Sequence, residues 1–334
     1  EIPLRLVGSE MCIRDSSCLS NTGTAACLMP VVLGICAAAK IPASRQLMPL
    51  AYAAGIGGVI TMVGTPPNII VSGVLTSFGY ESFSFFEFAW IGIPLTFVVI
   101  AYMMFIGKYL LPKAELDADQ EIEQEIEATV TDSKKQIVSG LILAVCIIVM
   151  ALDLKAISLE MTAIVGALVC VLTGCLTEKQ AYSAIDWVTI FLFAGMMPVS
   201  AAMDKTGAGK LIAEWAVSLM GGSPTPIIMT SVLFIISCTL TQFMSNTAAC
   251  ALLAPVGVAI SQQLGASPKA VLMAIGVAAS CAFATPVGTP PCTLVLGPGG
   301  YKFMDYVKVG VPLVVLCFIV SIIVIPMVWP FFPG

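Results

Sequence analysis

Two strings of uncharged polar residues are each written twice in this sequence. Ser20, Asn21 and Thr22 open "SNTGTAACLMP", and 225 residues later Ser245, Asn246 and Thr247 open "SNTAACALLAP". The string "GTPPN" at 64–68 follows Asn21 by 43 residues, and "GTPPC" at 288–292 follows Asn246 by 42. A Ser-Asn-Thr turn between two short helices gathers one helix carboxyl end, whose carbonyls suit a cation, and one helix amino end, whose N–H groups suit an anion. Asn, Ser and Thr also cap the returning helix and bring donors and acceptors without charge. In Gly-Thr-Pro-Pro the prolines lack N–H donors, so carbonyls one turn earlier lose their helical partners and become available as ligands. Gly64 and Gly288 allow close approach. A lone "SNT" is ordinarily a cap and a lone "GTPP" a kink. Both together, twice, at nearly equal spacing, point to a site.

The elements that carry these strings belong in a bilayer. Hydrophobic residues make up 58% of the chain and charged residues 10%, against about 25% charged in soluble domains. Long stretches such as Ile91–Ile106, Ile137–Leu152, Ile227–Leu240 and Val309–Val328 carry no charge, so the chain reads as an all-α polytopic membrane protein; lipid offers backbone groups no partner, and the alternation of a membrane barrel is missing. The twelve cysteines form no Cys-x-x-Cys pair and read as buried thiols. Histidine is absent, which removes the commonest general base and metal ligand and weighs against an intramembrane metalloenzyme, in keeping with a chain that is not an enzyme. The net charge of −5 comes largely from Glu115–Asp132, a solvated acidic stretch that says nothing of nucleic acid.

Paired segments broken by Gly and Pro at matching positions are the sequence sign of an inverted-repeat transporter with its site where the breaks meet. Spans are expected at 43–63 (continuing after a break to 78), 90–111, 137–152, 159–176, 187–203, 267–284 (continuing to 299) and 309–329, with re-entrant helical hairpins at 20–38 and 225–262. Domain boundaries follow: 17–89 and 211–308 as the two motif-bearing transport parts, 90–136 as connecting span and acidic loop, 137–210 as scaffold spans, and 309–334 as the final span. Residues 1–16 carry Arg5, Glu10, Arg14 and Asp15 where the stretch before Ser245 is uncharged. They read as a non-native segment, with the amino-terminal helices of the first unit missing. With the acidic loop cytoplasmic, nine basic residues (Lys40, Arg45, Lys108, Lys113, Lys134, Lys135, Lys179, Lys302, Lys308) fall inside and four (Lys155, Lys205, Lys210, Lys269) outside. That asymmetry favours this orientation, puts the carboxyl terminus outside and makes the hairpins enter from opposite faces.

Read together, "SNTGTAACLMP…GTPPN" and "SNTAACALLAP…SCAFATPVGTPPC" resemble the paired signatures of the divalent anion/sodium symporter family, over residues 17–334. The resemblance implies a homodimer in the cell membrane, each protomer with a scaffold domain and an elevator-like transport domain holding both hairpins. It implies one sodium site from Ser20, Asn21 and the Gly64 carbonyl, and a second from Thr241, Asn246 and the Gly288 carbonyl. A dicarboxylate would be held by Asn21 and Thr22 on one side and Asn246 and Thr247 on the other, with Thr65 and Thr289 nearby. Ser16 precedes Ser20 as Thr241 precedes Ser245, but it lies in the segment read as non-native. Cys292 stands where the family pattern has Asn; it either alters substrate choice or faces lipid. Tips of N–H and hydroxyl groups suit any compact anion, so sulfate or another oxyanion stays open as cargo, as does a non-functional fragment. Proton exchange is disfavoured, since Asp186 sits only at a span edge.

Overall fold

The computed structural model describes residues 21–112, 133–152, 159–185, scattered positions between 187 and 218, and 225–332. Ser16, Ser20, the leading segment, the acidic stretch and Asp186 lie outside the described residues, as does most of the span expected at 187–203. Every regular element among the described residues is helical.

The first motif-bearing unit comprises α1 (Asn21–Ala39), α2 (Leu47–Gly57) and α3 (Pro66–Ser77). A linker then leads to α4 (Ala89–Tyr102), which runs on through a π-helical turn at Met103–Gly107 to Leu110. Three helices follow, α5 (Ser133–Ala151), α6 (Leu159–Leu172) and α7 (Glu178–Ala184). The second unit comprises α8 (Pro226–Leu240), α9 (Asn246–Gln263), α10 (Pro268–Ser280) and α11 (Pro290–Leu296), and α12 (Phe303–Val328) closes the chain.

Local chemistry sets the boundaries. Thr225 and Ser245 cap α8 and α9, accepting from the backbone N–H groups of Ile228 at 3.4 Å and Ala248 at 3.2 Å. Pro66 and Pro67 occupy the first turn of α3, and Pro290 and Pro291 that of α11. This differs from the sequence expectation of proline inside a continuing span. At a helix start the missing N–H is one that no intrahelical acceptor claims, so the prolines open the second half-helix. The chain between each pair of half-helices is irregular, Thr61–Thr65 or Cys281–Thr289, and side chains from elsewhere donate to its carbonyls, among them Asn68 to Thr61, Tyr52 to Phe283 and Gln242 to Cys281.

The core lies around these two breaks. All residues of α2 are buried, and nearly all of α10. Both are rich in small residues, among them Ala51, Ala54, Gly55 and Gly57 on α2 and Ala274, Gly276, Ala278 and Ala279 on α10. Small side chains let backbones approach where lipid gives no hydrophobic drive for helices to associate. Around them α9 packs on α10 and α3, α1 on α2 and α11, and α12 on α4, α8 and α10. The helix after each break is therefore contacted by the motif helix of the other unit. The buried cluster draws on residues 33–111 and 229–331, with none from α5–α7.

The outer faces are apolar. Trp90, Phe97, Leu141, Leu172 and Met327 are exposed, as on a surface meeting acyl chains. The helices Asn21–Ala39, Ala89–Leu110 and Phe303–Val328 are each long and apolar enough to cross a membrane. Charge gathers where α10 begins: Lys269 pairs at 3.8 Å with Glu81 and at 3.9 Å with Glu87, which also accepts from Trp329 Nε1 at 2.6 Å. The cysteines of the described residues are free thiols; Cys292 is fully buried, which removes the reading that it faces lipid.

Candidate functional site

At the first break the chain leaves α2 through a tight turn at Gly58–Ile60. Gly58 has an ordinary helical φ of −64°, so it is glycine for space and not for torsion. A Cβ there would overlap the Asn21 side-chain oxygen and stand 2.8 Å from the Gly64 carbonyl oxygen. Gly64 would in turn put a Cβ 2.5 Å from the Gly58 carbonyl. Two glycines pressed together thus bring Asn21 Oδ1 and the Gly64 carbonyl to one point. Asn21 Nδ2 donates to the Gly55 carbonyl at 3.4 Å, which fixes the amide with its oxygen inward.

The second break assembles a similar cluster from the hairpin between α8 and α9. Thr241 Oγ1 lies 2.7 Å from Asn246 Oδ1 and 2.7 Å from the Ala279 carbonyl oxygen. A hydroxyl has one proton, so it donates to one of these and turns a lone pair toward the other. Oxygens from three separate positions thus meet within hydrogen-bonding distance, a close-set group of the kind a small hard cation takes as ligands. The Thr241 carbonyl completes the cluster, 3.1 Å from where a Gly288 Cβ would stand. Ala279 corresponds to Gly55 in the repeat, so each unit directs its tip residues at the same carbonyl of its broken helix.

The breaks also touch each other. Tyr52, buried in α2, donates its hydroxyl to the Phe283 carbonyl of the second break at 2.8 Å, and the two rings pack with centroids 5.0 Å apart. Tyr306 of α12 donates to the Cys292 carbonyl at 2.7 Å, and Gly310 lies against the Phe283 carbonyl so closely that a Cβ would overlap it. Removing the Tyr52 hydroxyl by Tyr52→Phe leaves a buried carbonyl without its donor, for an expected loss of about 0.6–2 kcal/mol. A lowered midpoint on titration with dodecyl sulfate would register it; an unchanged midpoint would show that this bond adds nothing to stability.

Of the residues marked in the sequence, Asn21 and Gly64 come together, as do Thr241, Asn246 and Gly288. Ser20 lies outside the described residues. Thr65 and Thr289 are buried, in extended conformation at the heads of α3 and α11. Asn246 and Thr247 are half-buried at the start of α9, and Thr22 is exposed on α1. Cys250, one turn into α9, lies 3.5 Å through Sγ from the Pro67 carbonyl, so the second tip helix abuts the start of α3. Sequence reading missed Gly58, the Gly55 and Ala279 carbonyls, Asn68 and Gln242. The cue for Gly58 was present in the run "GIGGVI", where two glycines adjoin the end of a small-residue helix.

Helices α1, α2, α3, α8, α9 and α11 carry no charged residue, and Lys269 is at the opposite end of α10, about 18 Å along its axis from Cys281. Comparison with known proteins places the chain in a family. Residues 15–156 and 145–332 match the family model described as citrate transporter. An uncharacterized transporter of Haemophilus influenzae is 33% identical over 320 residues, covering 90% of this chain and 68% of that protein. The sodium-dependent dicarboxylate transporter SdcS of Staphylococcus aureus is 25% identical over 310 residues, covering 86% of this chain and 59% of that protein. The YdaH transporter of Alcanivorax borkumensis has the same overall fold, with a TM-score of 0.65 at 16% identity over 97% of this chain and 80% of that one. With a family match running over residues 15–332, this chain belongs to the citrate transporter family of membrane transport proteins.

Proposed function

We propose that the chain forms the substrate-carrying part of a sodium-coupled symporter for a divalent anion, a C4 dicarboxylate or related di- or tricarboxylate, working by an elevator-type movement. The observation that carries this reading is the crowded oxygen cluster of Thr241, Asn246 and Ala279 in surroundings without fixed charge. A dianion deep in a bilayer is costly without compensating charge. Where the protein offers none, co-transported cations supply it. One sodium is assigned to Asn21, the Gly64 carbonyl and Ser20, the other to Thr241, Asn246 and the Gly288 carbonyl. The anion is assigned to the helix starts of α1 and α9, through Asn21, Thr22, Asn246 and Thr247, with Thr65 and Thr289 beside it. A relative named as a sodium-dependent dicarboxylate transporter supports both choices.

The packing of α4 and α12 against the broken helices supports placing them in the moving part, beyond the boundaries 17–89 and 211–308 read from sequence. The inverted relation of the two units, a cytoplasmic acidic loop, an outside carboxyl terminus and a homodimer joined through scaffold helices complete the proposal.

Calorimetry on the full-length protein in nanodiscs tests it. Succinate affinity is expected to rise with sodium, and sodium affinity to rise by the same factor with succinate. Amide, hydroxyl and backbone groups do not titrate between about pH 5 and 8, so any pH midpoint there should move with the second ionisation of the substrate used. Equal succinate affinity in sodium and choline buffers would overturn symport. Sodium-dependent binding of sulfate but not succinate would move the substrate class to oxyanions.

A further inference from the structure

At each break one carboxamide ties the irregular chain in place, and the two carboxamides come from different parts of the chain. At the first break it is Asn68, fully buried in the opening turn of α3. Its Nδ2 donates to the Thr61 carbonyl at 2.9 Å, with the Gly58 and Val59 carbonyls at 3.4 and 3.5 Å. All these partners lie within residues 58–68. At the second break the equivalent position is Cys292, which has no amide. The work passes to Gln242 at the hairpin tip. Its Nε2 donates to the Cys281 carbonyl at 3.1 Å and to the Cys238 carbonyl at 2.9 Å, and its Oε1 accepts from the Ala284 N–H at 3.0 Å. The Thr285 hydroxyl donates to the Gln242 carbonyl at 2.7 Å and accepts from the Gly288 N–H at 3.2 Å. Gln242 therefore ties the tip to both sides of the break and, through Thr285, to Gly288.

The sequence repeat shows the exchange from the other side. Three residues before Ser245 stands Gln242; three residues before Ser20 stands Ser17, which has no carboxamide. Each unit thus has one carboxamide and one short residue, in opposite order. We propose that Gln242 is a positioning residue that replaces, from the hairpin, the asparagine that Cys292 displaces, and that the second cation site is intact only while the tip of the second hairpin is docked. At the first break the Asn68 carboxamide acts from within the broken helix itself, and the described tie from the hairpin is the Asn21 amide on the Gly55 carbonyl at 3.4 Å. Sodium at the second site and docking of that hairpin are then one linked equilibrium.

The inference rests on reading Thr241, Asn246 and Gly288 as a cation site, and the test separates the two. Gln242→Ser, Cys292→Asn and the double variant are made in the full-length protein, with amide hydrogen exchange over 281–288 and sodium affinity by calorimetry as readouts. Gln242→Ser is expected to speed exchange at Ala284 at least tenfold and to weaken sodium binding by roughly ten- to a hundredfold, the effect of stranding buried donors and acceptors. The double variant is expected to keep the fast exchange at Ala284, which Asn at 292 does not contact, and to regain sodium affinity to within about threefold, because a carboxamide again gathers the carbonyls. Cys292→Asn alone should leave Ala284 protected. Unchanged exchange in Gln242→Ser, or sodium affinity that Cys292→Asn fails to restore, would overturn the proposal. Faster exchange with unchanged sodium affinity would uphold the tether and overturn the cation-site reading instead.

Discussion

Substituting Gly58 by alanine should abolish sodium-coupled uptake while leaving the protein in the membrane. The added methyl would fall on the Asn21 side-chain oxygen and 2.8 Å from the Gly64 carbonyl, the two described oxygens assigned to the first sodium. Neither can simply step aside. Asn21 is held by its bond to the Gly55 carbonyl at 3.4 Å, and the Gly64 backbone is itself pressed on Gly58. Overpacking of this kind costs about 1–3 kcal/mol, and here the movement that relieves it spreads the ligands apart. Sodium affinity should therefore fall at least as far as that energy converts, roughly five- to two-hundredfold. Gly34→Ala is the matched control, because a Cβ at that helical position meets nothing within 4 Å. Sodium-driven succinate uptake in proteoliposomes, normalised to reconstituted protein, is the measurement. Wild-type uptake by the Gly58 variant would show that Asn21 and Gly64 do not share a ligand.

Asn21→Ala and Asn246→Ala should each cost more than a single hydrogen bond. Each amide is assigned to a sodium and to the anion, and losing one contact to a charged ligand costs about 1.5–3 kcal/mol. Weakening both ligands multiplies the losses, to an expected hundredfold or more in uptake at limiting sodium and substrate. For Asn246 there is a further loss, since its Oδ1 lies 2.7 Å from the Thr241 hydroxyl. Raising sodium should partly restore anion affinity in both variants, because the two bind in linkage. A variant with wild-type affinity for both would remove that residue from the shared site. Weakened anion binding that no sodium concentration improves would place the asparagine on the anion alone.

How far the sequence foretold this arrangement varies with the range of the interaction. The start of α9 was legible, because Ser-Asn acts locally as a cap, whereas the prolines of Thr-Pro-Pro marked the two breaks without showing that they open α3 and α11. The pairing of Asn21 with Gly64 and of Thr241 with Gly288 was implied by the family resemblance that the two motif copies carry, not by the spacing itself. What stayed hidden depends on approach between elements. Gly58 is one glycine among 28, and only the position of Asn21 shows why that one admits no side chain. Gln242 carried no mark in the sequence, because the partners of its side chain, Cys238, Cys281 and Ala284, are spread over 46 residues. Cys292 looked like a missing ligand because its substitute lies in another element. The Gly55 and Ala279 carbonyls were invisible in principle, since every residue has one and folding alone decides which face the site.

The bond from Tyr52 to the Phe283 carbonyl has a consequence for how the protein is made. Its partners are 231 residues apart, and chains are synthesised at about 5–20 residues per second. For roughly ten to fifty seconds after α2 leaves the ribosome, its phenol and the loose carbonyls beyond it sit in or beside the bilayer with their eventual neighbour not yet translated. A half-helix of eleven residues is too short to span about 30 Å of hydrocarbon on its own. The insertion machinery, or helices already placed, must shelter the first unit until the second arrives. A nascent chain arrested before Phe283 should accordingly remain cross-linkable to that machinery through Tyr52, and one arrested well beyond α12 should not.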